Sequence, residues 1–143
     1  MRQLKPNLRV GLEYNAGAGE LGFVGNWRAV AETRSRPALI FGTSSDRIGT
    51  PEGQSYFATL SKSLNQSVGL PIAPYLGVSY SGYENKLLYP YGLNVVLGPK
   101  WSALYLHDGA ASHLAATYNW KQYGVTLLAV RKRKLGINLS TGF

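Results

Sequence analysis

The feature that most constrains this chain is an alternation of apolar and polar residues, repeated between short turns. In PNLRVGLEY, residues 6–14, apolar side chains occupy the even positions and mostly polar ones the odd positions. Successive side chains of a β-strand point to opposite faces, so the pattern predicts strands with one apolar and one polar face. Helical periodicity never persists beyond a single turn, and we therefore predict an all-β chain.

Turn chemistry divides the alternating segments at regular intervals, which is typical of an up-and-down meander. We predict one domain over residues 1–143, with about ten antiparallel strands and short turns. The predicted strands cover residues 5–14, 21–33, 38–47, 54–64, 72–81, 87–97, 101–107, 112–120, 123–130 and 135–143.

Alternation alone does not say which face meets water. A soluble β-barrel that binds an apolar ligand turns its apolar face inward, whereas a membrane barrel turns it outward. Only 15% of the residues are charged, against roughly 25% in soluble chains. The polar positions are mostly Gly, Ser, Thr and Asn, which suit a narrow hydrated lumen better than a solvent-facing surface. Most segments also have the length that spans a bilayer as tilted strands. We therefore predict a single closed transmembrane β-barrel.

Charged residues within the predicted strands mix both signs and lie at polar positions. In an outward orientation each would face lipid, at a cost of about 2–4 kcal/mol near the bilayer midplane for a basic side chain. We expect them instead to face the lumen, as a partly ion-paired constriction. These lumen charges are Arg9, Glu13, Arg28, Glu32 and Arg47.

Aromatic residues concentrate near the ends of the predicted strands. Tyr and Trp favour membrane–water interfaces because one part of the side chain is apolar and another forms hydrogen bonds. We predict an aromatic girdle of Tyr14, Tyr56, Tyr80, Trp101, Trp120 and Tyr123. The alternative is that these rings pack beneath loops.

The chain closes with KLGINLSTGF, in which apolar residues alternate up to a terminal aromatic. This segment resembles the last strand of bacterial outer-membrane β-barrel proteins. The resemblance implies that Leu139, Thr141 and Phe143 act as an insertion signal read by the barrel-insertion machinery, and that the last strand closes the barrel against the first. RPALIFGTSSDRIGT with YFATLSKSL also looks like a hairpin of YjbH-type exopolysaccharide-associated barrels. The start, MRQLKPNLRV, lacks an apolar signal-peptide core, so we expect a mature outer-membrane chain.

Residues suited to catalysis are few. The two histidines, His107 and His113, lie beside Asp108 and Ser112 around one tight turn. Their spacing resembles none of the motifs of outer-membrane proteases, acyltransferases or lipid A deacylases. We predict no catalytic residues, no metal site and no cofactor. We expect the basic run Arg131 to Lys134 to be a solvated turn or a contact with lipopolysaccharide phosphates, and not to bind nucleic acid. The predicted function is a monomeric membrane-spanning scaffold or narrow passive pore held in a lipid bilayer or detergent. The alternatives are a soluble barrel with an apolar ligand and an outer-membrane enzyme with its site at the rim.

Overall fold

The computed structural model describes residues 1–15, 19–46, 50–130 and 134–141. Within them, twelve strands form one antiparallel sheet. The strands are β1 (Arg2–Lys5), β2 (Leu8–Asn15), β3 (Glu20–Val30), β4 (Ala38–Ser45), β5 (Gln54–Ser61), β6 (Ile72–Ser81), β7 (Lys86–Leu88), β8 (Tyr91–Val96), β9 (Trp101–His107), β10 (Ser112–Trp120), β11 (Tyr123–Val130) and β12 (Lys134–Thr141). Strands pair in chain order, which confirms the predicted all-β, antiparallel, up-and-down architecture.

Two additional strands account for the difference from the predicted ten. β7 and β8 both pair with β6, so they form one line of the sheet that is interrupted at Tyr89 and Pro90. Proline has no N–H to donate to a ladder, which explains the break inside the predicted strand 87–97. The other addition is β1, which folds back at Pro6 and Asn7 to pair with β2.

The remaining boundaries follow local chemistry. β3 ends at Val30, earlier than predicted, after a bulge between Arg28 and Val30 shifts its register with β4. The connection from β5 to β6 contains one short helical turn, α1 (Asn65–Val68), which ends at Gly69 with a positive φ of 75°. Among the described residues, no helix is long and apolar enough to cross a membrane.

The sheet is open. Its ladder begins at β1 and ends at β12, and in the described part of the chain no pairing joins these edges. The two faces nevertheless differ sharply in burial. We call the face carrying Tyr56, Ala58 and Leu60 the outward face, and the face carrying Ser55, Phe57 and Thr59 the inward face. Ser55, Ser79 and Ser81 on the inward face are buried, whereas the large apolar side chains of the outward face are mostly exposed. The polar face is therefore the less exposed of the two.

Candidate functional site

The outward face is the most extensive chemical feature of the molecule. Strand register places one apolar row across β2 to β6 and another across β8 to β12. The first row is Leu8, Trp27, Phe41, Ala58 and Val78, and the second is Val95, Ala103, Ala116, Leu127 and Ile137. No Asp, Glu, Lys or Arg occupies an outward position in the described strands β2 to β12. Water-facing sheets normally carry charges on their exposed face, so this face is suited to an apolar environment.

A shallow depression of about 390 Å³ lies on the same face above Ala58. Phe41 and Val78 flank it, and Tyr56 and Tyr80 lie toward its end. Trp27 stacks on Phe41 beside it, with ring centroids 5.8 Å apart. None of the residues that line the depression is charged.

The six residues of the predicted girdle all have exposed side chains. They fall into two groups at opposite ends of the sheet. We call the end with the turns 82–85 and 108–111 the first rim, and the end with the turns 97–100 and 121–122 the second rim. Tyr14, Tyr56 and Tyr80 lie toward the first rim, and Trp101, Trp120 and Tyr123 lie at the second. Aromatic rings at both ends of an apolar face match the placement expected of two membrane interfaces.

The inward face is filled by side chains opposite glycines. A Cβ at Gly42 would lie 2.7 Å from Cε2 of Phe57, and one at Gly92 would lie 2.6 Å from Oη of Tyr75. The glycines thus provide the space that these two rings occupy. Phe57 and Tyr75 were not singled out by the alternation pattern. Phe57 is apolar within an apolar run, and only its strand parity marks it as inward.

The predicted lumen charges occupy different surroundings. Glu13 accepts a hydrogen bond from the Ser45 hydroxyl at 3.0 Å, and Arg28 donates to the Pro6 carbonyl at 3.3 Å. Glu32 lies beyond the end of β3 and forms an ion pair with Lys62 at 3.7 Å. Arg9 lies on the inward face of β2 with its side chain exposed. Arg47 lies outside the described residues.

Lys62 connects two strand connections at the second rim. Its ammonium donates to the carbonyls of Thr33 and Arg34, the latter at 2.9 Å, in addition to its ion pair with Glu32. The Glu32 carboxylate also accepts the backbone N–H of Ser63 at 3.0 Å. These contacts join the β3–β4 connection to the β5–β6 connection. This role has no local signal in the sequence, because the partners lie 28 to 31 residues apart.

Asp46 has a corresponding role at the first rim. Its carboxylate accepts the Ser81 hydroxyl at 2.7 Å and the Tyr83 N–H at 2.9 Å. Its own N–H donates to the Gly53 carbonyl at 3.0 Å. Asp46 therefore fastens the β4–β5 connection to the turn after β6, and Ser81 is completely buried as a result.

A buried Asp–His pair supports the turn after β9. His113 Nε2 lies 2.8 Å from Asp108 Oδ2, and Asp108 Oδ1 accepts the N–H groups of Ala110 and Ala111 at 2.9 and 2.7 Å. Burial alone would raise the pKa of Asp108, but the hydrogen bonds from Ala111, His113 and Ala110 outweigh it and lower that pKa below 3.8. His113 Nδ1 is buried without a hydrogen-bond partner among the described residues. The pair is suited to holding the turn closed.

A second polar group lies on the opposite face of the same hairpin. Ser112 Oγ lies 3.1 Å from both His107 Nδ1 and Tyr105 Oη, and the His107 ring stacks on Tyr91 at 4.9 Å. A Ser–His contact is the starting point for nucleophilic catalysis. A hydrolase also needs a group that orients the histidine and donors for an oxyanion. The nearby N–H groups of Ala110 and Ala111 already donate to Asp108. The prediction of no catalytic residue stays a prediction.

The remaining predicted features concern the last strand and metal binding. Leu139 and Thr141 lie in β12, where Leu139 is paired with Val125 and Thr141 with Tyr123. Phe143 and residues 131–133 of the basic run lie outside the described residues. No group of three or more potential metal ligands occurs in the part of the chain that the structure describes.

Comparisons with known proteins place no further constraint on the chain. No protein-family model, no curated protein sequence and no solved structure matches it.

Proposed function

We propose that this protein is a bacterial outer-membrane β-barrel that acts as a membrane-spanning scaffold or a narrow passive pore. The observation that carries the proposal is the outward face, which has no charged position in the described strands β2 to β12 and exposes large apolar side chains throughout. In water this area would favour aggregation. Against hydrocarbon the same area is stabilising.

The orientation of the faces also argues against a soluble barrel with an apolar ligand. Such a barrel would bury its apolar residues inside. Here the only buried hydrophobic residues among those described are Ala38 and Leu88, while serines and His113 are among the buried polar ones. The most buried residues are mainly polar and the large apolar ones are mostly exposed, which is the arrangement expected of a membrane barrel.

The inward face supports a pore of low conductance. A barrel of eight strands is filled by side chains and one of sixteen is open, so ten strands lie near the filled end. Phe57 above Gly42 and Tyr75 above Gly92 occupy inward space. Arg9, Glu13 and Arg28, on the inward faces of β2 and β3, would narrow the remaining passage. We expect conductance far below that of a porin.

The proposal includes three partners. The lipid bilayer covers the outward face, the barrel-insertion machinery reads the last strand, and lipopolysaccharide phosphates contact the basic run Arg131 to Lys134. Lipopolysaccharide binding is measured by comparing the chain with a variant whose run is changed to Gln. Reduced binding by that variant supports the contact, and unchanged binding removes it.

Purification with and without detergent tests the proposal most simply. We expect a folded monomer in detergent micelles and aggregation when the detergent is removed. A folded, monodisperse protein in plain buffer would overturn the membrane assignment and favour the soluble alternative.

Single-channel recording in a planar bilayer tests the pore. Small or absent steps agree with the proposal, whereas porin-sized steps would show that the inward face does not fill the lumen.

A further inference from the structure

The two edges of the sheet differ in how they are occupied. The edge of β2 that does not pair with β3 is covered by β1. The pairs are Arg2 with Val10, Gln3 with Arg9 and Lys5 with Leu8, and the register shifts between Gln3 and Lys5. β12 is paired with β11 along its whole length, and its other edge has no partner among the described residues. A barrel in hydrocarbon has no open edge, because unpaired backbone groups are costly there.

β1 does not share the chemistry of the other strands. Arg2 lies directly opposite Val10, an outward position, whereas the described strands β2 to β12 have no charged outward position. All four residues of β1 are exposed. Charged residues on a short edge strand are a common device that prevents edge-to-edge aggregation in water. β1 is therefore suited to covering an edge in water and unsuited to contact with lipid.

Strand direction points to the same conclusion. With β7 and β8 counted as one line, ten lines run from β2 to β12 and alternate in direction, so β12 is antiparallel to β2 and parallel to β1. Pairing β12 with β2 keeps every pair antiparallel. Three of the four outward positions of β12 are apolar, namely Leu135, Ile137 and Leu139, exposed by 89%, 72% and 77%; the fourth is Thr141. They match the apolar outward residues Leu8, Val10 and Leu12 of β2.

We propose that β1 is a removable cover for the edge of β2, and that β12 displaces it when the sheet closes into a ten-stranded barrel in the bilayer. This inference rests on the proposed function and adds to it the step by which the barrel closes. The Asn7 carbonyl accepts the N–H of Arg28 at 2.8 Å, so the chain stays attached to β3 at Asn7 while residues 1–5 move away. Met1 lies against Gly11, where a Cβ would be 2.8 Å from the Met1 Cα, and this contact is released in the same step.

A reversible cross-link tests the displacement. The chain has no cysteine, so the double variant Arg2→Cys with Val10→Cys forms at most one intramolecular disulfide. Directly opposed residues of antiparallel strands have Cα atoms within disulfide range. The matched control is Leu12→Cys with Phe23→Cys, a directly opposed pair of β2 and β3 that persists in either arrangement. Each protein, oxidised or reduced, is folded into phosphatidylcholine vesicles and assayed by protease protection and by mobility of the unheated protein in a denaturing gel.

We expect the oxidised Arg2–Val10 variant to lose the protease-resistant, fast-migrating form and to regain it on reduction. The control should reach that form whether oxidised or reduced. Equal insertion of the oxidised and reduced Arg2–Val10 variant would overturn the displacement and leave the membrane assignment standing. Failure of the disulfide to form would contradict the pairing of β1 with β2, and with it the inference. If the reduced proteins also fail to insert, the proposed function falls and the inference falls with it.

Discussion

An arginine placed on one face or the other of β10 separates the two orientations of the sheet. Ala115 and Ala116 are adjacent, identical in type and central in the nine-residue strand Ser112–Trp120. Ala116 lies on the outward face between Ala103 and Leu127, and Ala115 lies on the inward face between Leu104 and Leu128. The variants Ala116→Arg and Ala115→Arg therefore differ only in the face that receives the charge.

The expected magnitude follows from the position of Ala116. Four residues of β10 precede it and four follow it, which places it at the middle of the strand. Arginine at such a midplane position costs about 2–4 kcal/mol of unfolding free energy. This corresponds to roughly a 30- to 900-fold fall in the folding equilibrium constant. At Ala115 the guanidinium would face the proposed hydrated lumen, and we expect a loss of no more than about 1 kcal/mol.

Reversible denaturant unfolding in phospholipid vesicles, followed by tryptophan fluorescence, measures both variants against the unmodified chain. We expect a large loss of unfolding free energy for Ala116→Arg and a small one for Ala115→Arg. The reverse order, with Ala115→Arg the more costly, would show that the apolar face is the enclosed one and would refute the membrane orientation.

Three further predictions concern separate parts of the molecule. Gly42→Ala should lower the unfolding free energy by about 1–3 kcal/mol, because the added Cβ would lie 2.6 Å from the Gly25 carbonyl oxygen. The control is Gly136→Ala, whose Cβ would have no neighbour closer than 3.8 Å. Equal losses in the two variants would contradict the packing described for the inward face. The lowered pKa of Asp108 implies a stabilisation that is present above pH 3.8 and lost as the pH falls below it. Asp108→Asn should therefore lower the unfolding free energy by about 1–3 kcal/mol at pH 7. It should also weaken the dependence of the unfolding free energy on pH in the acid range. An unchanged pH dependence in that range would contradict the role assigned to Asp108. With Trp27 and Trp101 changed to Phe, Trp120 should be quenched more by lipids brominated near the headgroup than by lipids brominated near the chain end, and the opposite order would exclude Trp120 from the interface.

The period-two pattern was sufficient to predict most strands and the chemistry of each face. In β2, β5, β6, β8 and β12 the outward positions are those that alternation assigns to the apolar side, since side-chain parity is a local property of a strand. The break at Tyr89 and Pro90 was also accessible to local reasoning, because proline cannot donate to the ladder. The predicted continuous strand over 87–97 did not take Pro90 into account.

Other features depend on contacts between distant parts of the chain. The fold-back of β1 could not be expected from its sequence RQLK, because this segment has no apolar alternation. Its position depends on pairing with the edge of β2. Lys62 and Asp46 join connections that are remote in sequence, so neither has a local signature. Glu32 was predicted as a lumen charge, but its ion pair with Lys62 at the second rim depends on where β3 ends.

The most direct test of the outward face is a cysteine scan along β10 in phospholipid vesicles. Each residue from 112 to 120 is changed singly to Cys and labelled with a nitroxide, and its collision rates with oxygen, which concentrates in lipid, and with a water-soluble nickel complex are measured. We expect the collision rate with oxygen to peak at residues 114, 116 and 118, and the collision rate with the nickel complex to peak at residues 115, 117 and 119. Oxygen contact that peaks at the odd residues, or that shows no period of two, would contradict the claim that the apolar face contacts the membrane.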